Sequence, residues 1–305
     1  MTEVNPQLLH LARVAEIAKV PIHEFVEPIS RHILVGRIRL HYLDWGGDGR
    51  TLLFLHGGGL TAHSWDLMSL HYRGRYRCLA LDLRGHGESE WSPNLEYGLE
   101  KHAGDVAGLV EALDIHKFCL VGMSLGGLSA ISYAGHHSTN LAGLVLVDVG
   151  PRTREAGTDR IKNFMAQPAE LDSVEDFVER AMSFNPARDP VLLRQSLLHN
   201  LHQLPNGKWT WKYDRRHRVR PDLDTLEEQR EGLWADVSSI TCPTLIARGA
   251  RSDVFTDEDA SELAGMFPQA RWVRVDRAGH TVQGDNPLGL IEVMTPFLEK
   301  LPWSS

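Results

Sequence analysis

Short apolar runs recur along the chain, each ended by Gly or Asp, with amphipathic stretches between them. The runs are rich in Leu and Val and are continuous rather than alternating, which is typical of strands buried on both faces of a sheet. Strands that alternate with helices form mainly parallel sheets, so the pattern predicts an α/β fold with helices on both faces. The predicted strands cover residues 51–55, 78–81, 118–121, 144–147, 243–248 and 271–275.

The segment ahead of these runs predicts a hairpin, because two extended stretches between Ile33 and Leu43 are separated at Gly36. Apolar residues at helical spacing predict the helices, and the clearest amphipathic case runs from Leu99 to Leu113. Further helices are expected near the N-terminus and over residues 173–183, 190–201 and 287–301.

The strand pattern stops in the middle of the chain. From about Pro151 to Val237 no run predicts a strand, and helical segments are followed by the aromatic and basic stretch W-T-W-K-Y-D-R-R-H-R. We interpret this segment as an insertion into one α/β core. The expected domains are an N-terminal helical arm (1–30), the core (31–150 and 238–305) and a helical cap (151–237).

Charge and composition exclude several classes of protein. The 305 residues carry a formal net charge of -8, which disfavours a nucleic-acid partner. The three cysteines, Cys78, Cys119 and Cys242, lie in or beside apolar runs and are expected to be reduced and buried. Charged residues interrupt the N-terminal helix, so we expect no signal peptide, and no run reaches the ~20 apolar residues of a membrane span. A cytoplasmic location follows; the N-terminal arm fits either a homodimer contact or docking on its own core.

The strongest chemical motif is G-M-S-L-G, from Gly122 to Gly126, between a predicted strand and a predicted helix. A tight strand-to-helix turn holds its serine in strained geometry, and glycine on either side removes side chains that would collide there. The helix N-terminus adds free N–H groups and partial positive charge, which favour a developing oxyanion. We therefore predict that Ser124 is a nucleophile.

A serine nucleophile requires a histidine base and usually an acid that orients the base. His280, in R-A-G-H-T, follows the last predicted strand, and Asp253, in R-G-A-R-S-D-V, follows the strand before it. Both lie at carboxyl ends of strands, where open α/β sheets place their sites. Asp148, which follows the strand L-V-L-V, is the rival acid, with capping of the next turn as its alternative role. The predicted triad is Ser124, Asp253 and His280.

Successive glycines follow the strand L-L-F-L in the motif H-G-G-G, from His56 to Gly59. Glycine lets backbone N–H groups approach a ligand oxygen closely. We expect the N–H groups of Gly58 and Leu125 to form an oxyanion hole, with Gly59 as the alternative donor.

Several other residues are candidates for a supporting role. Asp82, in D-L-R-G-H-G-E-S, is predicted to hold a tight loop by pairing with Arg84. His199 and His202 lie three apart on a predicted helix without a carboxylate or cysteine partner, so we expect no metal site.

Aromatic and basic side chains around the predicted site leave two interpretations open. Trp209, with Trp211 and Tyr213, fits either an apolar wall for substrate or packing of cap against core. The predicted substrate contacts are Gly59, Trp65, Met123 and Trp209. A group of arginines fits either an acidic substrate or a solvated charged face, and consists of Arg215, Arg216, Arg218 and Arg220.

Five motifs in a fixed order give the chain a family resemblance. They are L-F-L-H-G-G-G, L-D-L-R-G-H-G-E-S, V-G-M-S-L-G-G, P-T-L-I-A-R-G-A-R-S-D and A-G-H. From about Ile33 to Leu301 the chain resembles the α/β-hydrolase superfamily. The resemblance implies an eight-stranded, mostly parallel sheet with a helical cap between the sixth and seventh strands.

The subfamily is harder to identify. H-G-G-G followed by Trp65 resembles carbon–carbon bond hydrolases of ring-fission products, but those enzymes usually carry Asn and Trp where this chain has Met123 and Thr281. The family's epoxide hydrolases and haloalkane dehalogenases use an Asp nucleophile, so Ser124 argues against both.

The combined expectation is a serine hydrolase that cleaves a small-molecule carboxylic ester or lactone through an acyl-enzyme. We expect no metal or organic cofactor, no nucleic-acid partner and no membrane partner. The alternatives are a carbon–carbon bond hydrolase, a cofactor-free perhydrolase or hydroxynitrile lyase, and a catalytically inactive ligand-binding member of the fold.

Overall fold

The structure, a computed structural model that describes residues 6–218 and 223–303, is built around one open sheet. Its strands are β1 (Ile29–Val35), β2 (Ile38–Asp44), β3 (Thr51–Leu55), β4 (Arg77–Leu81), β5 (Phe118–Met123), β6 (Leu141–Val147), β7 (Leu201–Gln203), β8 (Trp209–Trp211), β9 (Thr244–Gly249) and β10 (Ala270–Val275). Within the described residues, eight strands join in the order β1-β2-β4-β3-β5-β6-β9-β10. β2 runs antiparallel to both of its neighbours, and the remaining neighbours pair in parallel. The predicted eight-stranded, mostly parallel sheet is confirmed.

Helices lie along both faces of this sheet and in the segment between β6 and β9. They are α1 (Pro6–Ile17), α2 (Asp66–Tyr72), α3 (Leu99–Ala112), α4 (Leu125–His137), α5 (Glu155–Ala166), α6 (Val174–Phe184), α7 (Pro190–Asn200), α8 (Leu223–Ser239), α9 (Asp257–Met266), α10 (Val282–Asp285) and α11 (Pro287–Leu298). Short 3₁₀ segments occur at Ala62–Trp65, Ser138–Asn140 and Arg215–Arg218. None of the described helices combines the length and apolar content that crossing a bilayer requires.

The central strands are buried on both faces, as their continuous apolar runs predict. Every residue of β3 and β6 is buried. Because successive side chains of a strand point to opposite faces, Leu52 and Phe54 join one core cluster, while Leu53 and Leu55 join the other. Each cluster is covered by its own layer of helices, so the sheet separates two cores. The three cysteines are free and buried within these layers, as expected.

The N-terminal segment docks on the core of its own chain. Leu11 of α1 packs into the cluster that also receives α2 and α11. After α1, the backbone carbonyl of Pro21 lies 2.8 Å from His71 Nδ1, and Glu24 pairs with Arg73 at 2.5 Å. Over residues 6–30 the segment therefore contacts the core of its own chain, and residues 1–5 lie outside the described residues. A homodimer remains a prediction.

Residues 151–237, called the insertion below, leave the main sheet after β6. Its described part contains α5, α6, α7 and most of α8, with a separate apolar cluster around Phe177 and Leu197. The expectation that this segment holds no strand is wrong, because β7 and β8 form a two-stranded antiparallel hairpin. Strands of three residues are too short for a period-2 pattern to reveal them. Of the arginines considered above, Arg220 and the side chain of Arg218 lie outside the described residues.

The turn between β5 and α4 is pressed directly against β3. A Cβ added at Gly126 would lie 2.4 Å from the backbone oxygen of Leu55, and one at Gly122 would lie 2.4 Å from the oxygen of Gly126. Only glycine permits these contacts, because any side chain would push the turn away from the strand. The two motif glycines therefore set the position of Ser124 relative to the sheet.

Replacement of Gly126 by Ala should lower the free energy of unfolding by about 1–3 kcal/mol, since the added methyl overpacks a backbone contact. Gly104→Ala is the matched control, because Gly104 is exposed on α3 with open space around the added Cβ. That control should leave the free energy of unfolding unchanged or raise it by up to about 1 kcal/mol. Urea denaturation measures both; equal effects would show that the close contact at Gly126 is unimportant.

Candidate active site

Ser124 occupies a sharp turn between the middle of the sheet and α4. Its backbone has φ of 50° and ψ of -119°, a conformation that residues other than glycine rarely adopt. The turn is the N-terminus of α4, and β5 behind it is flanked by β3 and β6. The strained turn that the sequence motif predicts is present, and Ser124 lies at the carboxyl edge of the parallel strands.

His280 lies in the loop after β10 and contacts a buried carboxylate. Its Nδ1 is 2.8 Å from Oδ2 of Asp148, which directly follows β6. Asp148 is completely buried, whereas the His280 side chain is 16% exposed. An imidazole held through Nδ1 by a carboxylate keeps its Nε2 available as a base.

Asp148 is held by a set of donors around its carboxylate. The backbone N–H of Gly249 donates to Oδ1 at 2.9 Å, and the hydroxyl of Ser252 donates to Oδ2 at 2.5 Å. With His280 these donors satisfy a charge that burial would otherwise make costly. Asp148 itself has a positive φ of 52°. Aspartate tolerates this region better than most residues, and the backbone turns sharply there to direct the carboxylate towards β9.

The prediction that Asp253 contacts His280 is wrong. Asp253 is instead paired with Arg160 of the insertion, 3.3 Å away, and its side chain is 40% exposed. It lines the same cavity as His280, whose Nδ1 contacts Asp148 instead.

The cause of this error is the geometry of two neighbouring strand ends. β6 and β9 are adjacent in the sheet, so an acid after either strand can reach the loop that carries His280. In the loop after β9, it is the side chain of Ser252 that faces inward to Asp148, while the next residue, Asp253, faces the insertion. Both acids follow an apolar run and a turn, so the sequence pattern does not distinguish them.

The serine turn and the His280 loop share one cavity of about 500 Å³. Ser124 and His280 both line it, together with Gly57, Gly58 and Gly59 from the loop after β3. Among the described residues, no hydrogen bond links Ser124 Oγ to His280. Catalytic hydrogen bonds are often long before substrate binds, so the shared cavity wall is the relevant geometry.

The predicted oxyanion donors lie on the same side of the cavity. Gly58 and Leu125 are adjacent, because a Cβ added at Gly58 would lie 3.9 Å from the Cβ of Leu125. Leu125 is the first residue of α4, so its N–H has no acceptor within the helix. Gly59 has a φ of +75° and lies beside Met165 and Tyr213 of the insertion.

The loop that carries these glycines is anchored by His56, a role that sequence reasoning missed. His56 is fully buried, with Nδ1 2.8 Å from the carbonyl of Gly57, and the N–H of Leu83 donates to its Nε2 at 3.0 Å. The ring thus donates through Nδ1 and accepts through Nε2, and burial lowers its pKa. A neutral histidine therefore ties the glycine loop to the end of β4.

Asp82 holds the adjacent loop, but its partner differs from the predicted Arg84. Asp82 Oδ2 lies 2.7 Å from His41 Nδ1, and its carboxylate also accepts from the backbone N–H of Ala62 and Glu88. Burial alone would raise the pKa of Asp82, and these hydrogen bonds instead lower it to about 2. Arg84 pairs with Asp105 of α3, with both nitrogen–oxygen distances at 2.6 Å.

The predicted substrate contacts are only partly found on the cavity wall. Met123 and Gly59 line the cavity. Trp65 does not, because it is fully buried in the core and stacks on Phe54 with ring centroids 5.1 Å apart. Trp209 packs inside the insertion, where it pairs with Leu171. Trp211 and Tyr213 line the cavity instead, two and four residues further along the same segment.

Charged side chains also reach the cavity wall. The best buried arginine among them is Arg188, whose side chain is 10% exposed and lies 3.9 Å from Asp285. Its Nε has no hydrogen-bond partner among the described residues. Burial lowers the pKa of Arg188, which the Asp285 carboxylate counteracts. The remaining charged residues on the wall are Arg160, Arg251, Asp253, Arg277 and Asp285.

Known proteins resemble this chain over most of its length. The esterase Rv0045c of Mycobacterium tuberculosis is 34% identical over 264 residues, which cover 84% of this chain and 85% of that protein. Its crystal structure matches with a TM-score of 0.78 at 32% identity, covering 98% of this chain and 100% of that one. A second structure of that esterase concerns its inhibition by transition metals.

A mammalian lipase is a further relative. The sn-1-specific diacylglycerol lipase ABHD11 of Mus musculus is 30% identical over 272 residues, covering 84% of this chain and 83% of that protein. The model of the α/β hydrolase family matches residues 52–293, which include both the serine turn and the His280 loop. This match and the eight-stranded sheet agree with one another, and the chain therefore belongs to the α/β hydrolase family.

Proposed function

We propose that this protein hydrolyses a carboxylic ester, with Ser124 as nucleophile, His280 as general base and Asp148 as the acid that orients the base. The observation that carries the proposal is the 2.8 Å contact between His280 and the buried Asp148, at the wall of the cavity that also contains Ser124. The esterase and lipase relatives support the reaction class. Lactones are cyclic esters and are included in this substrate class.

The first step forms an acyl-enzyme. His280 Nε2 takes the proton of Ser124 Oγ as the oxygen attacks the ester carbonyl, and Asp148 stabilises the resulting imidazolium. Because Nδ1 is held by Asp148, the ring has the tautomer that leaves Nε2 free to accept this proton.

The tetrahedral oxyanion is stabilised by backbone N–H groups. Leu125 and Gly58 supply them, and Gly59 is the alternative donor. His280 then protonates the departing alcohol. Water, activated by the same histidine, attacks the acyl-enzyme and releases the acid.

We propose that the insertion serves as a cap that selects the acyl or alcohol group. Its apolar side chains form much of the cavity wall, and they include Ile161, Phe164, Met165, Phe184, Trp211 and Tyr213. Pockets of this kind take apolar groups and fix them with a few polar contacts. The proposed cap role of residues 151–237 therefore rests on these apolar side chains, which line the same cavity as Ser124.

Ser124→Ala should abolish ester turnover and leave the fold intact, because the variant removes one oxygen from a cavity wall. A fluorophosphonate probe should label the native protein at Ser124 and fail to label the variant. Hydrolysis of an aryl ester and mass spectrometry of the labelled protein measure the two effects. Turnover retained by a folded Ser124→Ala variant would refute the nucleophile assignment.

Asp148→Asn should reduce kcat by roughly 10²–10⁴-fold, because the amide no longer stabilises the imidazolium or fixes its tautomer. Asp253→Asn is the matched control, and it should change kcat by less than about tenfold, since Asp253 contacts Arg160 rather than His280. Steady-state kinetics on one aryl ester compare the two variants. The reverse order of effects would restore Asp253 as the acid.

Carbon–carbon bond hydrolysis is the second candidate function, and Arg188 is the observation that favours it. Arg188 places a buried guanidinium on the cavity wall, and its Nε, 3.9 Å from Asp285 Oδ1, makes no hydrogen bond among the described residues. Such a guanidinium fits a carboxylate on the substrate. Ring-fission products are acids of this kind, and so are half-esters of dicarboxylic acids. Met123 and Thr281 still differ from the pattern of the carbon–carbon hydrolases.

Arg188→Met should raise KM for an aryl half-ester of a dicarboxylic acid at least tenfold, while KM for the neutral ester of equal length changes little. Arg37→Met, an exposed position in the turn between β1 and β2, is the control and should alter neither value. Assays should also include a vinylogous diketone acid, whose cleavage would identify the carbon–carbon reaction. Equal KM changes for charged and neutral esters would argue that Arg188 is structural.

A further inference from the structure

Two histidines and a carboxylate meet beside the catalytic cavity. His63 and Asp66 come from the loop after β3 and the start of α2, and His199 comes from the end of α7 in the insertion. One donor atom from each lies within 4.8 Å of the other two. The carboxylate oxygens of Asp66 are 3.0 and 3.1 Å from His63 Nδ1. Three metal-binding groups therefore converge from segments that are far apart in sequence.

We propose that His63, Asp66 and His199 bind one divalent transition-metal ion of the Zn²⁺ class. Two imidazoles and a carboxylate are a donor set that Zn²⁺ takes at three positions, and water or a further side chain completes the tetrahedron. The expectation that His199 lacks a carboxylate partner considered only its sequence neighbours, such as His202. The fold supplies the partner from Asp66 instead.

A second observation points to an ion at this place. A small cavity of about 50 Å³ is lined by His63, Asp66 and His199, and α1 closes one side of it. His10 of α1 has a buried Nε2 without a hydrogen-bond partner among the described residues. A buried polar atom without a partner is costly, and a water bound to the metal would donate a hydrogen bond to an unprotonated Nε2.

Polar and charged groups surround the cluster. The amide of Gln195 lies 2.9 Å from Nε2 of His199. Arg188 on the wall of this small cavity and Lys212 near the two histidines add positive charge, which opposes a cation, whereas Asp66 and Asp82 favour one.

Binding requires a local rearrangement of the two rings. His63 and His199 are stacked, with centroids 3.7 Å apart and planes inclined by 18°. The lone pair of an imidazole lies in the ring plane, so two parallel rings do not point at one ion. Rotation of one ring about χ2, a soft torsion, opens the stack and directs both nitrogens at the space between them.

The location gives such an ion a structural effect on the active site. His63 lies four residues after Gly59, and α7 contributes Ser196, Leu197 and Asn200 to the wall of the catalytic cavity. At present Thr61 donates a hydrogen bond to Asn200 at 3.2 Å across this boundary. A metal bound by His63, Asp66 and His199 would add a direct link between the insertion and the segment that follows the glycine loop.

Zn²⁺ titration of the metal-free, full-length protein tests the proposal by calorimetry and by thermal unfolding. The native protein should bind one Zn²⁺ per chain and gain ~4 °C in Tm at 100-fold excess over Kd. His199→Ala and Asp66→Asn should each weaken binding at least tenfold. His116→Ala is the matched control, because His116 is an exposed histidine 3.2 Å from Asp114, and it should bind as the native protein does.

His280→Ala distinguishes this site from metal binding at the catalytic histidine, and it should retain Zn²⁺ binding. Loss of binding in His280→Ala with retention in His199→Ala would overturn the proposal, and so would the absence of saturable binding in the native protein. Near-UV circular dichroism and the metal-free Tm establish that each variant is folded. If Asp66→Asn unfolds because Asp66 is buried, the comparison of His63→Ala with His116→Ala decides the outcome.

Discussion

The buried contact between Asp148 and His280 is the constraint on which the arrangement of the site depends. Asp148 follows β6, and its three donors are the last residue of β9 and one residue from each of the loops after β9 and β10. One carboxylate therefore connects the carboxyl ends of three neighbouring strands. A charge with no exposure remains stable only when every donor stays in place. The loops are therefore held together by the same atoms that orient the histidine, and the geometry of the site and the stability of this edge are coupled.

Much of the fold follows from local pattern. Continuous apolar runs identified the central parallel strands, because burial on both faces leaves few polar positions in them. The edge strand β10 was identified from an interrupted run, in which Arg271 and Arg274 are exposed. The hairpin β7–β8 could not be found in this way, because each strand has three residues and its pairing comes from the surrounding insertion. Gly36 between β1 and β2 has a φ of +57°, which explains why the first hairpin was visible from sequence.

Parts of the candidate site were predictable where a sequence motif or a position after a strand marks the residue. Sequence reasoning singled out Ser124 by a motif that requires a strained turn, which the structure contains, and His280 by its position after the last strand. The carboxylate that contacts His280 was not identified, because Asp148 and Asp253 follow adjacent strands and the contact depends on which way one loop turns after Gly249. The pairs Arg84–Asp105 and His56–Leu83 were missed for a related reason: their partners lie 21 and 27 residues apart and meet only after the sheet has formed.

The burial of all three cysteines makes the native protein resistant to thiol chemistry. Cys78 and Cys119 have no solvent-exposed surface, Cys242 is 5% exposed, and burial raises the pKa of each thiol, that of Cys242 to about 11. Since the thiolate is the reactive form, alkylating reagents gain access only when a core layer opens. Cys78 and Cys119 contribute to one core face and Cys242 to the other, so the rate at which each is alkylated reports the opening of its own face.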